Sequence, residues 1–160
     1  MPEITIEPAT LNDLPAMCRL RAEYQGHARE WEPRITAYMI GQHNPQFALE
    51  PREVFVAVED NEVVGLISGH LTTRFHCQGE IQWLNVQADR RGRRIADKLL
   101  DAQFAWFRGQ DAQRICINVA PSNDAARKAL TRRGAEPLGP QWLVFQDISG
   151  APAGQQAPAS

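Results

Sequence analysis

Arg90, Arg91, Arg93 and Arg94 crowd around Gly92, between an apolar stretch ending at Val86 and a long amphipathic run starting at Ile95. The first amides of a helix have no intrahelical partners, and the helix dipole adds partial positive charge there. A bend of small and flexible residues ahead of a helix lets such amides converge on a phosphate. This segment therefore suits a pyrophosphate-bearing ligand. A solvated basic turn or a nucleic-acid contact carries equal weight on composition alone. The segment is neither a P-loop nor a dinucleotide fingerprint, because G-x-x-x-x-G-K-S/T and G-x-G-x-x-G are both absent. His70, His76 and Cys77 are near one another, yet no fourth ligand has metal spacing and strand alternation separates His76 from Cys77. They read as ordinary strand residues, and no metal is expected.

The elements that must position this segment follow from periodicity. Ile4-Thr5-Ile6 is a short strand ended by Pro8, and Thr10 or Asn12 can cap a helix with Leu14, Met17, Leu20 and Tyr24 on one face. A second helix is expected from about Glu32 to Ile40, with Pro33 in its first turn and Gly41 as its stop. Residues 42–51 read as a loop. Val54 to Glu59 and Val63 to Leu71 form a hairpin across Asp60-Asn61, followed by a strand from Glu80 to Val86. Ile95, Leu99, Ala102 and Trp106 mark the face of a helix stopped by Gly109. Arg114 to Val119 is a strand, Asn123 to Arg133 a capped helix ended by Gly134, and Trp142 to Ile148 a last strand. Strand, helix, strand in succession implies a locally parallel pair within a mixed α/β sheet.

With 160 residues the chain suits one domain, expected over residues 1–148 with a disordered tail over 149–160. The formal net charge of -2 gives no global attraction to nucleic acid or anionic membrane. No apolar run reaches the ~20 residues of a membrane span. The N-terminus lacks the features of a secretory signal, and Cys18, Cys77 and Cys116 suit buried thiols in a reducing cytoplasm better than disulfides.

Val86-x-x-Asp89-x-Arg91-Gly92-Arg93-x-Ile95-Ala96-x-x-Leu99-Leu100 resembles the acetyl-CoA motif of GNAT acetyltransferases, whose core is Gln/Arg-x-x-Gly-x-Gly/Ala. Asn123-x-x-Ala126 with Gly134 resembles the family's second signature, Asn-x-x-Ala-x-x-x-Tyr followed by Gly-Phe. Ile4 to Leu14 and Glu62-Val63-Val64-Gly65 resemble its opening elements and third strand, so the likeness runs in order over residues 3–148. It implies a single α/β domain, mostly antiparallel, whose fourth and fifth strands splay apart. The pantetheine arm of acetyl-CoA would lie there, on Leu84, Asn85 and Val86. The pyrophosphate would rest on the amides of Arg91, Gly92, Arg93, Arg94, Ile95 and Ala96, with Asn123 beside the pantetheine or thioester.

The resemblance further implies transfer of the acetyl group to a primary amine by direct attack through a tetrahedral intermediate. Glu80 stands where several family members carry a glutamate, and is the candidate base. An exposed strand-end carboxylate, or a water chain in its place, is the competing reading. Two positions depart from the family. Arg94 replaces the first glycine of the core, where arginine is expected to adopt helical dihedrals without strain. Leu130 replaces the tyrosine that often protonates the leaving thiolate, leaving Ser122, Tyr24, Tyr38 or water as donors, and Ala135 replaces the aromatic residue after Gly134. Leu130 also supports the alternative of a non-catalytic acyl-CoA-binding domain. Tyr24, His27 and Trp31 fall in the first helix and the following segment, which shape the acceptor pocket in the family, and they equally suit packing. The acceptor is a small-molecule or peptide amine, and homodimers are common in the family.

Overall fold

A computed structural model describes residues 3–150. From residue 151 the expected disordered tail lies outside the described residues, as do Met1 and Pro2. Strand β1 (Ile4–Pro8) packs Ile4 and Ile6 against the core. The Thr10 hydroxyl then accepts the Asn12 amide at 3.2 Å while the Asp13 carboxylate accepts the Thr10 amide at 2.9 Å. This capping box starts a short 3-10 turn that runs into α1 (Leu14–Tyr24). Helix α1 buries Met17, Cys18, Leu20 and Arg21, whereas Tyr24, expected on that face, is half-exposed.

Helix α2 (Ala28–Met39) begins a turn before the expected start, so Pro33 is interior and not in the first turn. Pro33 is exposed, and its lost backbone bond is offset by Trp31, Ile35 and Tyr38 buried at i, i+4 and i+7. Strand β2 (Ala48–Glu59) begins inside the stretch read as loop. A register shift between Leu49 and Arg52 lets Pro51 into the strand. Asp60 and Asn61, with φ of 52° and 63°, make the two-residue turn into β3 (Glu62–Thr72).

Strand β4 (Gly79–Val86), helix α3 (Ile95–Gly109), strand β5 (Ile115–Asn118), helix α4 (Asp124–Arg132) and strands β6 (Glu136–Pro137) and β7 (Trp142–Phe145) complete the chain. The sheet order is β1-β2-β3-β4-β5-β7-β6, with β4 and β5 parallel and every other pair antiparallel. This is the expected α/β fold with its one parallel pair. Strand β6 gave no sequence signal, since two residues, one a proline, have no period. Strand β7 ends at Phe145, short of Ile148.

Strand alternation sends Leu66 to one face of the sheet and Ile67 to the other. One face packs α3 through Ile95, Leu99, Leu100, Gln103, Phe104 and Phe107. That stripe is rotated from the expected one, and Ala102 and Trp106 are only half-buried. A Cβ on Gly69 would stand 2.8 Å from Phe107 Cζ, and one on Gly79 2.5 Å from Phe107 Cε1. Both glycines thus let α3 settle onto β3 and β4. The other face packs α1 and α2 through Met17, Leu20, Trp31, Ile35 and Tyr38 against Val56, Leu66 and Trp83.

Candidate functional site

Strands β4 and β5 pair only at Gly79–Ile115, Glu80–Cys116 and Ile81–Ile117. Beyond Ile81, β4 stays on β3 but leaves β5, and Gln82 is an extra residue between the Ile81–Gly69 and Trp83–Ser68 pairs. A bulge of this kind bends a strand. The β4 edge freed by this parting carries Leu84, Asn85 and Val86, all partly exposed. Two groups on this edge are engaged: Arg91 Nε donates to the Val86 carbonyl at 3.3 Å, and Asn85 Oδ1 accepts from Arg21 Nη1 at 2.8 Å.

At the far end of β4 the chain turns sharply into α3. Gly92 has φ of 83°, and Arg94 caps the helix with φ of 62°. The expectation of helical dihedrals at Arg94 is therefore wrong. The turn needs a left-handed residue where the related motif has glycine, which costs an arginine on the order of 1 kcal/mol. The first bond of the helix runs from the Lys98 amide to the Arg94 carbonyl at 3.1 Å, so the amides of Ile95, Ala96 and Asp97 precede the ladder. No side chain caps this end.

The arginine cluster divides by role. Arg90 Nε and Arg93 Nη2 reach the Glu59 carboxylate at 2.8 and 2.5 Å, and Glu59 itself is buried at the end of β2. These two guanidiniums tie the turn to the β2–β3 hairpin. Arg91 and Arg94 remain on the surface, with the Arg94 side chain 85% exposed and 3.9 Å from Asp97. Arg93 first, with Arg90 behind it, holds the Glu59 carboxyl below the usual carboxylate range. Such a group stabilises the fold above its unfolded value, roughly pH 4.3, and ceases to do so as pH falls through its folded value. Glu59→Gln should therefore lower Tm near neutrality, with the gap to wild type closing as the pH of the melt is taken well below 4.3. A gap that stays constant down that series would show that the pairing adds no stability.

Glu80 is buried, 4% exposed, and Arg74 Nε donates to its Oε1 at 3.0 Å. It is thus not the exposed strand-end carboxylate of the competing reading. Arg74 turns back over Glu80 through a tight loop in which Phe75 and His76 have φ of 55° and 60°. Behind Glu80 stands His70, its cross-strand neighbour, with Nε2 3.6 Å from Glu80 Oε1 and Nδ1 2.8 Å from the Tyr38 hydroxyl. Burial pushes the Tyr38 phenol up, so it keeps its proton in the hydrogen bond it shares with Nδ1. His70 Nε2, on the Glu80 side, is buried without a hydrogen-bond partner. Tyr38, fully buried and engaged here, is not placed to protonate a leaving group in the cleft. His70, Arg74 and Tyr38 were not picked out together from the sequence. The Glu80–His70 register is the signal that joins them.

The model of the acetyltransferase (GNAT) family matches residues 14–135. The chain belongs to that family. No curated protein matches it. Among solved structures, an acetyltransferase from Thermus thermophilus superposes with a TM-score of 0.70 at 18% identity, covering 91% of this chain and 99% of that one. A GNAT acetyltransferase from Staphylococcus aureus gives 0.71 at 13% identity, with 91% and 99% covered. The PaiA N-acetyltransferase from Thermoplasma acidophilum, in complex with coenzyme A, gives 0.69 at 12% identity over 91% and 99%. At these identities the structural likeness speaks for the GNAT fold. No helix among the described residues is long and apolar enough to cross a membrane.

The second GNAT signature lies on α4. Asn123 caps this helix, its Oδ1 accepting the Ala126 amide at 3.2 Å, so its carbonyl oxygen is engaged. Leu130 is 2% exposed and belongs to the α3-side core cluster that also holds Ile95, Leu99 and Ala135. Its face is the one shared with Ala126, as helical spacing requires, but that face meets packed side chains and not the open cleft. Ser122 and Tyr24 remain exposed.

Proposed function

We propose that this GNAT protein moves an acetyl group from acetyl-CoA to a primary amine by direct attack. The observation that carries the reading is the parting of β4 from β5 just past a buried carboxylate, with an uncapped helix start at the far end of the same strand. The open edge of β4 suits the amides of a pantetheine arm, which would pair with it as a further strand does. The amides from Arg91 to Ala96 and the α3 dipole suit a diphosphate, with the exposed guanidiniums of Arg91 and Arg94 adding charge.

An alkylammonium, with a pKa near ~10, has no lone pair to attack with. Glu80 takes its proton once the ammonium displaces Arg74 from Oε1, with His70 Nε2 standing 3.6 Å behind the carboxylate. The freed lone pair forms the C–N bond to the thioester carbon, and a backbone amide near Asn85 or Val86 meets the oxyanion. Collapse breaks the C–S bond. The thiolate, of ordinary pKa near ~8.5, leaves as a tolerable anion and picks up, through solvent, the second proton that the nitrogen sheds on collapse, so Leu130 in place of tyrosine does not prevent turnover.

Thiol release measured across a panel of amines, beside calorimetric CoA binding, tests this reading. Turnover with any amine supports it. Binding without turnover assigns the acyl-CoA sensor that Leu130 favours, and neither result overturns both. The diphosphate contact has its own test. Arg94→Glu should weaken CoA by roughly tenfold, the low end for a charge-assisted contact on so exposed a side chain. Arg94→Gly removes the same contact without adding repulsion, so it should weaken CoA less than Arg94→Glu, and it should raise Tm because glycine adopts φ of 62° freely. Equal affinities in both variants and wild type would remove the Arg94 side chain and charge from the site.

A further inference from the structure

Arg21 is 7% exposed and projects from α1 onto β4, where its Nη1 donates to Asn85 Oδ1 at 2.8 Å. Its Nε is buried without a partner. The guanidinium carbon lies 4.3 Å from the centre of the Trp31 ring, 5.5 Å from Trp83 and 5.2 Å from Tyr24. A second guanidinium, that of Arg34, lies 4.4 Å from the same Trp31 ring. Among the described residues neither arginine belongs to an ion pair. Burial pulls Arg21 down to about 10, and Arg34 adds to the effect while Tyr24 opposes it. Arg21 therefore stays charged at neutral pH. A cation taken out of water without a counter-ion is costly, and a second cation beside the same indole raises the cost. The arrangement is short of one anion.

Its place in the fold says what the anion belongs to. Asn85 lies on the stretch of β4 that has left β5, where the acyl group is proposed to sit. We infer that Arg21, backed by Arg34, binds a carboxylate carried by the substrate, in the first instance by the amine acceptor, beside the reacting carbonyl. This rests on the proposed transfer to an amine. The planar fork of a guanidinium matches a carboxylate in two parallel hydrogen bonds, and Asn85 and Trp31 hold that fork in place. Trp31, Trp83 and Tyr24 supply an apolar wall for the carbon skeleton next to the carboxylate. A carboxylated acyl group on the donor would present the same chemistry to Arg21, so the source of the carboxylate is a matter for the test.

The test uses amines in matched pairs, each amino acid beside its carboxamide, with the wild-type chain, Arg21→Gln and the exposed Arg34→Gln. Wild type should favour the carboxylate member in kcat/KM by roughly tenfold to a hundredfold, the range of charge-assisted hydrogen bonds. Arg21→Gln should erase that preference while keeping turnover of the carboxamide, and Arg34→Gln should reduce it. A purely structural Arg21 would lower both members alike. Equal use of both members by wild type, or a preference that survives Arg21→Gln, would overturn the inference. Succinyl-CoA in place of acetyl-CoA forms the donor arm: an Arg21-dependent preference for it keeps the site and moves the carboxylate to the donor. If no amine is acetylated, the proposed function fails by itself. Tryptophan fluorescence titrated with the same amino acids and carboxamides then decides, through the Trp31 and Trp83 indoles. Saturable quenching by the carboxylates, lost in Arg21→Gln, supports the site, and its absence in wild type overturns it.

Discussion

Glu80→Gln should lower kcat/KM by ~10²–10⁴-fold, the usual loss for a positioned base. The amide keeps the shape of the carboxylate and can still accept from Arg74 Nε, so CoA affinity should stay near wild type, while Tm should fall because Arg74 loses its anionic partner. The acid limb of the pH–rate profile should vanish, because no proton-accepting oxygen remains at the cleft apex. A Glu80→Gln enzyme within a few-fold of wild type would assign proton removal to water.

The second large effect concerns the fold. Leu130 is 2% exposed in a fully packed cluster, so Leu130→Ala should cost ~2–5 kcal/mol, read as a fall in the urea midpoint at constant m. Leu130→Tyr restores the family residue, yet it must bury a larger ring and a hydroxyl with no partner in that cluster. It should lose ~1–3 kcal/mol and gain no rate over Leu130→Phe. A tyrosine variant that turns over faster than the phenylalanine variant would show that this face of α4 opens onto the leaving thiolate.

Local chemistry made much of this fold legible. The turn Asp60-Asn61, the Asn123 cap and the strand, bend and helix around Gly92 each announce themselves within a few residues, and the structure follows them. Pro33 misled because a proline fits a first turn best, while three buried side chains outweighed its missing donor. The α3 face was misplaced because Gln103, a polar residue, lies fully buried in the middle of it. At the site, long-range pairing was the hidden part. Arg90 and Arg93 meet Glu59 from the far side of a hairpin and a strand, and Tyr38 meets His70 across a helix and two strands. No spacing rule links such positions, because strand register and helix packing decide them. Arg94 shows the converse: a glycine was missing from the motif, yet the backbone kept the glycine's conformation.

Both rims of the sheet are poor templates for another polypeptide. Strand β6 is only two residues long, and its Pro137 has no N–H to offer. Strand β1 ends in Pro8 and turns the charged Glu7 outward. Short, proline-terminated, charged rims resist the strand-to-strand addition that starts aggregation. Self-association through either rim of the seven-stranded sheet is accordingly disfavoured, and the packing of helices or loops is the readier route to it.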